Sequence, residues 1–93
     1  MRYQIRPGVT AVSICGIKAL IPDRQAAEYC LQPLRLKTMG AILWDCLEKG
    51  KVEDAYKVYA ILSKKNYEEA SRKVDAFYAK LAEDGFLIAE ERE

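Results

Sequence analysis

The alternation of apolar with small or polar positions along this chain changes period once, near Thr38. Before it, Thr10-Ala11-Val12-Ser13-Ile14-Cys15 alternates, meets Gly16, and alternates again through Ile17-Lys18-Ala19-Leu20-Ile21. Period-two patterning on both sides of a glycine predicts two short antiparallel strands around a tight turn. Pro22-Asp23-Arg24 ends the second strand, because proline has no N–H for a ladder and aspartate favours local turn hydrogen bonds. From Glu28 to Leu36, Tyr29, Leu31, Leu34 and Leu36 hold apolar positions while Pro33 interrupts them, which predicts a short, kinked edge strand.

From Thr38 onward the period is 3.6. Ile42, Leu43, Cys46 and Leu47 share one helical face, with Thr38 as N-cap and Gly50 as the stop. Lys51 to Ser63 repeats the pattern through Val52, Ala55, Val58, Tyr59 and Leu62. Glu53 and Asp54 in its first turn, and Lys64 and Lys65 at its end, suit a helix dipole. Tyr67 to Asp84 aligns Ala70, Val74, Phe77 and Leu81, and Gly85 closes this third helix with Phe86 folding back on the last turn. Leu87-Ile88-Ala89 adds a short wing strand. The expected class is α+β: a winged helix-turn-helix with an N-terminal three-stranded antiparallel sheet followed by three helices.

Composition narrows the setting. At 93 residues, 51% hydrophobic and 31% charged, residues 1–93 read as one packed domain without linker or repeat. No apolar run approaches the roughly 20 residues that span a bilayer, and no basic region precedes an apolar signal core, so a cytoplasmic protein without a membrane partner is expected. Net charge is only +1, yet the segment ending at Lys37 carries Arg2, Arg6, Lys18, Arg24, Arg35 and Lys37 against Asp23 and Glu28. That first third favours an acidic or neutral partner. Cys15, Cys30 and Cys46 are odd in number and widely spaced, and the chain has no histidine. The pattern suits buried, reduced thiols, with neither a disulfide framework nor a zinc site.

No catalytic set is visible. The commonest general base is missing, as are a phosphate-cradling glycine loop and a nucleophile elbow, so neither an enzyme nor a cofactor is expected. Glu68, Glu69 and Asp75 share their helix with Arg72, Lys73 and Lys80 at salt-bridging spacings, which reads as a solvated face. Binding remains, and two surfaces compete for it. One is the edge of the sheet, where an extended peptide pairs with a third strand through Tyr29 to Gln32 while Lys73, Val74, Phe77, Tyr78 and Leu81 wall a groove. The other is a winged-helix surface of a DNA-binding transcriptional regulator, but acidic residues outnumber basic ones on the third helix, against what phosphate contacts need. Trp44 is expected to pack at the core edge beside Leu43 and Leu47.

Several short motifs carry a family resemblance. Arg6-Pro7-Gly8-Val9, the Gly16 turn, the junction Leu36-Lys37-Thr38-Met39-Gly40-Ala41-Ile42-Leu43-Trp44, Gly50, and Val74-Asp75-Ala76-Phe77 with Leu81, Gly85 and Phe86 together resemble the PqqD-like family. These are stand-alone RiPP recognition elements of natural-product biosynthesis. Lys37 stands where the family commonly has asparagine, which leaves the helix cap to Thr38. The resemblance implies a peptide chaperone: the leader of a ribosomally made precursor adds as a strand, and the protein presents the precursor to a modifying enzyme, in many such systems a radical SAM maturase. On that reading Tyr29, Cys30, Leu31 and Gln32 supply the pairing edge, continuing to Leu34. Lys73, Phe77, Tyr78 and Leu81 line the groove, and Arg35, Arg72 and Lys80 meet acidic leader residues. A monomer or weak homodimer is expected, since an open edge also permits self-association.

Overall fold

The computed structural model describes residues 2–29 and 32–90. Its elements run β1 (Arg2–Ile5), β2 (Val9–Ile14), β3 (Ile17–Pro22), β4 (Leu34–Leu36), α1 (Thr38–Glu48), α2 (Val52–Ser63), α3 (Tyr67–Glu83) and β5 (Leu87–Glu90). β2, β3 and β4 form an antiparallel sheet in that order, with β2 and β4 at its edges. β1 and β5 form a separate antiparallel pair, Tyr3 opposite Ala89 and Ile5 opposite Leu87. The expected α+β layout of three strands followed by three helices is therefore present. β1 is an addition: it draws the wing strand back to the N-terminus.

The hairpin follows from local chemistry. Ile14 stands opposite Ile17 across Cys15 and Gly16, whose φ angles of 52° and 78° are those of a type I′ turn. That geometry leaves Cys15 exposed, contrary to the expectation of burial, and both Cys15 and Cys46 are free thiols. Pro22 ends β3 as expected, opposite Val9. Asp23 then organises a tight turn in which its carboxylate accepts from the backbone N–H of Gln25 and Ala26.

The expected strand from Glu28 to Leu36 shortens to Leu34–Leu36. Tyr29 belongs to the preceding turn and Gln32 to a bend, while Cys30 and Leu31 lie outside the described residues. Pro33 explains the late start: pairing with β3 begins only after it, with Leu34 opposite Leu20 and Leu36 opposite Lys18. Tyr29 is instead held by Arg6, whose guanidinium lies 3.8 Å from its ring centre. The same arginine donates from Nε to the Gly85 carbonyl at 2.7 Å, tying this turn to the end of α3.

α1 starts one residue earlier than the expected cap at Thr38 would place it: Thr38 is already helical, and Lys37 occupies the cap position with no side-chain hydrogen bond, since an ammonium has nothing with which to accept a backbone N–H. Asn66 caps α3 by accepting from the Glu69 N–H at 2.8 Å. At the far end the Phe86 N–H returns to the Leu81 carbonyl at 3.0 Å, and Gly85 takes the φ of 94° that this closure requires.

The core gathers Leu20 and Leu36 from the sheet, Leu43, Trp44 and Leu47 from α1, and Val74, Tyr78 and Leu81 from α3. Trp44 is 1% exposed, deeper than core-edge packing, and its indole N–H donates to Glu48 at 2.6 Å. On α3 the buried stripe is Ala70, Val74, Tyr78 and Leu81, so Tyr78 takes the core position expected for Phe77. Its hydroxyl finds the Leu43 carbonyl at 2.7 Å, which satisfies the polar tip of a buried ring. No helix among the described residues is long and apolar enough to cross a membrane.

Candidate functional site

The free edge of β4 and the side of α3 enclose a cleft of about 470 Å³. Leu36, Gly40, Leu43 and Leu81 supply apolar surface from β4, α1 and α3, and Met39, Tyr59 and Phe77 extend it. Gly40 keeps the cleft open at its root. A Cβ built there would stand 3.3 Å from the Phe77 ring, tighter than an ordinary carbon contact. Cations surround the apolar surface: Arg35, Lys37, Lys73 and Lys80 border the cleft, with Asp84 as the acid among its lining residues. Asp84 lies 3.5 Å from Lys80 in an exposed pair one helical turn apart. Such a pair holds little net energy, so the border keeps a positive surplus.

The backbone of β4 determines what this border can do. Alternation of an antiparallel ladder, counted from the closed turn at Ile14 and Ile17, aims the main-chain groups of Lys18 and Leu20 at β4. Leu36 and Leu34 face them, and Arg35 between directs its N–H and C=O away from the sheet. Pro33 on one side has no N–H. On the other, the Lys37 carbonyl is taken by the Ala41 N–H at 2.8 Å. The open edge is therefore short and centred on Arg35.

Of the residues expected at a peptide site, Leu34, Arg35, Lys73, Phe77, Lys80 and Leu81 come together here. Tyr29 and Gln32 line an adjoining hollow of about 220 Å³ that shares Leu34 and Asp84 with the cleft. They extend the groove without forming its pairing edge. Three expectations fail. Val74 and Tyr78 are in the core, and Arg72 points to solvent, 3.6 Å from Glu68 on its own helix. Sequence reasoning missed Lys37, Met39, Gly40 and Tyr59. The signal for the first three was the junction motif itself, which places Lys37 between β4 and α1 and Met39 and Gly40 in the first turn of α1.

A larger cleft of about 690 Å³ lies on the other side of α3, between β1 and the start of α2. Its lining is mixed, with Tyr3, Tyr56, Glu53, Asp54 and Asp75 among it. The Tyr56 hydroxyl donates to Asp75 at 2.6 Å, and burial followed by that hydrogen bond pushes its ionisation upward. Burial does the same to Tyr78. The Cys46 thiol is also pushed up, by burial first and then by Asp54 and Asp45, which makes it a poorer nucleophile. Among the described residues no group of three or more histidine, cysteine, aspartate or glutamate side chains is placed to hold a metal ion. The smaller cleft, apolar within and bordered by a strand edge and by cations, has the composition of a peptide groove; the larger one lies beside β1 but is lined by Glu53, Asp54 and Asp75. Compared with family models, curated proteins and solved structures, the chain matches none.

Proposed function

We propose that this protein is a peptide-binding adaptor of the PqqD-like kind, a winged helix-turn-helix variant that uses its sheet edge in place of a DNA-reading helix. An extended leader segment of a ribosomally made precursor pairs with β4 through the Arg35 main chain and sets alternate side chains against Phe77, Leu81 and Met39. The protein then presents the rest of the precursor to a modifying enzyme, a radical SAM maturase in the systems it resembles. It carries out no chemistry of its own.

One observation carries this reading: an open strand edge runs beside an apolar cleft bordered by cations. Main-chain pairing supplies affinity that tolerates many sequences, and the cleft supplies selection among them. The basic border favours segments with acidic residues flanking apolar ones. The α3 surface is unsuited to duplex DNA, because Glu68, Glu69, Asp75, Glu83 and Asp84 outnumber Arg72, Lys73 and Lys80 along it.

The test is fluorescence anisotropy with a labelled synthetic leader, taken from the short peptide encoded beside this protein's gene. Binding without any enzyme present is expected. Phe77→Ala and the double charge reversal Lys73→Glu, Lys80→Glu should each weaken it at least tenfold while leaving the circular dichroism unchanged. Equal affinity in both variants would remove the cleft from the account.

A further inference from the structure

The two edges of the sheet differ in how they are protected. β4 has three residues, follows Pro33 and carries Arg35 at its centre, all features that discourage pairing with another copy. Self-pairing there would set arginine against arginine. β2 has six residues, Val9-Thr10-Ala11-Val12-Ser13-Ile14, with no charge, no proline and no described strand along its outer edge. Its solvent face is apolar as well. Ile14 is 61% exposed, and Ile17 and Ile21 beside it on β3 are 47% and 39% exposed. An edge of this length and neutrality is a template for another strand.

We propose that the outer edge of β2 is a homodimer interface, pairing antiparallel with β2 of a second copy about a twofold axis at Val12. The register follows from the ladder. Ile14, Val12 and Thr10 bond to β3, so Ala11 and Ser13 direct their N–H and C=O groups outward. Val9 also faces out, but its N–H already meets the Arg6 carbonyl at 3.2 Å. A twofold normal to the sheet keeps each face on its own side, so odd-numbered residues meet odd-numbered ones. With Val12 against Val12, Ala11 of one copy exchanges both hydrogen bonds with Ser13 of the other, and the reverse. On the solvent face, Ile14 of each copy then lies opposite Thr10 of the other, which covers the most exposed end of the patch. The strand carries no charge that the symmetry would set against itself. The resulting sheet runs β4-β3-β2-β2-β3-β4 and leaves a free β4 edge at each end. The proposal does not depend on what β4 binds.

Sedimentation equilibrium of the whole chain from about 10 µM to about 1 mM tests it, since a small two-strand interface dissociates in that range. The wild-type protein is expected to show reversible dimerisation. Val12→Lys and Val12→Asp should each be monomeric with native circular dichroism, and their equimolar mixture should dimerise again, because the axis sets lysine opposite aspartate. Ser13→Pro removes an outward N–H and no ladder bond, and should weaken the dimer at least tenfold. A wild-type protein that stays monomeric throughout would overturn the proposal. So would a dimer that survives Ser13→Pro, or an equimolar mixture of the Val12→Lys and Val12→Asp variants that fails to associate while the wild type dimerises.

Discussion

Gly40 on α1 and Phe77 on α3 approach so closely that a Cβ on residue 40 would stand 3.3 Å from the ring. Two elements joined only through the core thus set the width of the cleft between them. Phe77 is half-buried and borders open space, so it can yield by a small ring shift.

Gly40→Ala should therefore act on binding more than on folding. Alanine gains up to about 1 kcal/mol of helix propensity over glycine, which offsets the tight contact. The melting temperature is expected to move little, while leader affinity falls several-fold as Phe77 turns into the cleft. Parallel thermal melts and anisotropy titrations check this; a large loss of stability with unchanged affinity would contradict it.

Arg35 offers two separable features, a cationic side chain and an outward N–H. Arg35→Ala keeps the N–H, and Arg35→Pro removes it at an edge position where proline is tolerated. Both variants should fold, and the proline variant should bind leader at least tenfold more weakly than the alanine variant. Equal affinities would mean that the peptide does not pair with β4.

The order of elements was legible because each depended on local pattern. The glycine at position 16 reads as a turn between two strands, and Tyr67 to Asp84 reads as a helix closed by Gly85. The third strand is shorter than its pattern predicts because Tyr29 and Leu31 alternate as strand residues do, and only pairing with Leu20 and Lys18 reveals that the ladder starts after Pro33. β1 was invisible for a related reason. Its four residues become a strand only when β5, at the other end of the chain, lies beside them. Phe77 and Tyr78 both fall within a turn of Val74, so periodicity alone could not say which one enters the core and which one borders the cleft.

Tyr78 makes stability fall at alkaline pH. Burial raises its ionisation above the ordinary value of 10.0, so the folded state holds this proton more tightly than the unfolded chain does. Its contribution is whole below about pH 10 and is lost as pH rises toward the folded-state value. Tyr78→Phe should lower stability at pH 7 by about 1 kcal/mol through the lost bond to Leu43 and flatten the decline above pH 10. Melting curves from neutral to strongly alkaline pH provide the comparison.

Lys18 emerges on the helix-facing side of β3, with a side chain only 14% exposed, and pairs with Asp45 on α1. Removing the carboxylate strands a largely covered ammonium, so Asp45→Ala should destabilise by about 1–3 kcal/mol. Lys18→Met keeps the packing of the stem and should change stability by less than about 1 kcal/mol. Chemical denaturation of both variants measures the asymmetry, and equal losses would mean that the ion pair itself, not the stranded charge, carries the effect.

The most direct test of leader pairing is an amide-resolved NMR titration of labelled protein with the unlabelled synthetic leader. The expected result is shifts concentrated at residues 34–37 and along the Lys73 to Leu81 side of α3, with the Arg35 amide becoming protected from exchange as the peptide takes it up. Shifts that avoid β4, or an Arg35 amide that exchanges as freely with saturating peptide as without it, would contradict strand addition at this edge.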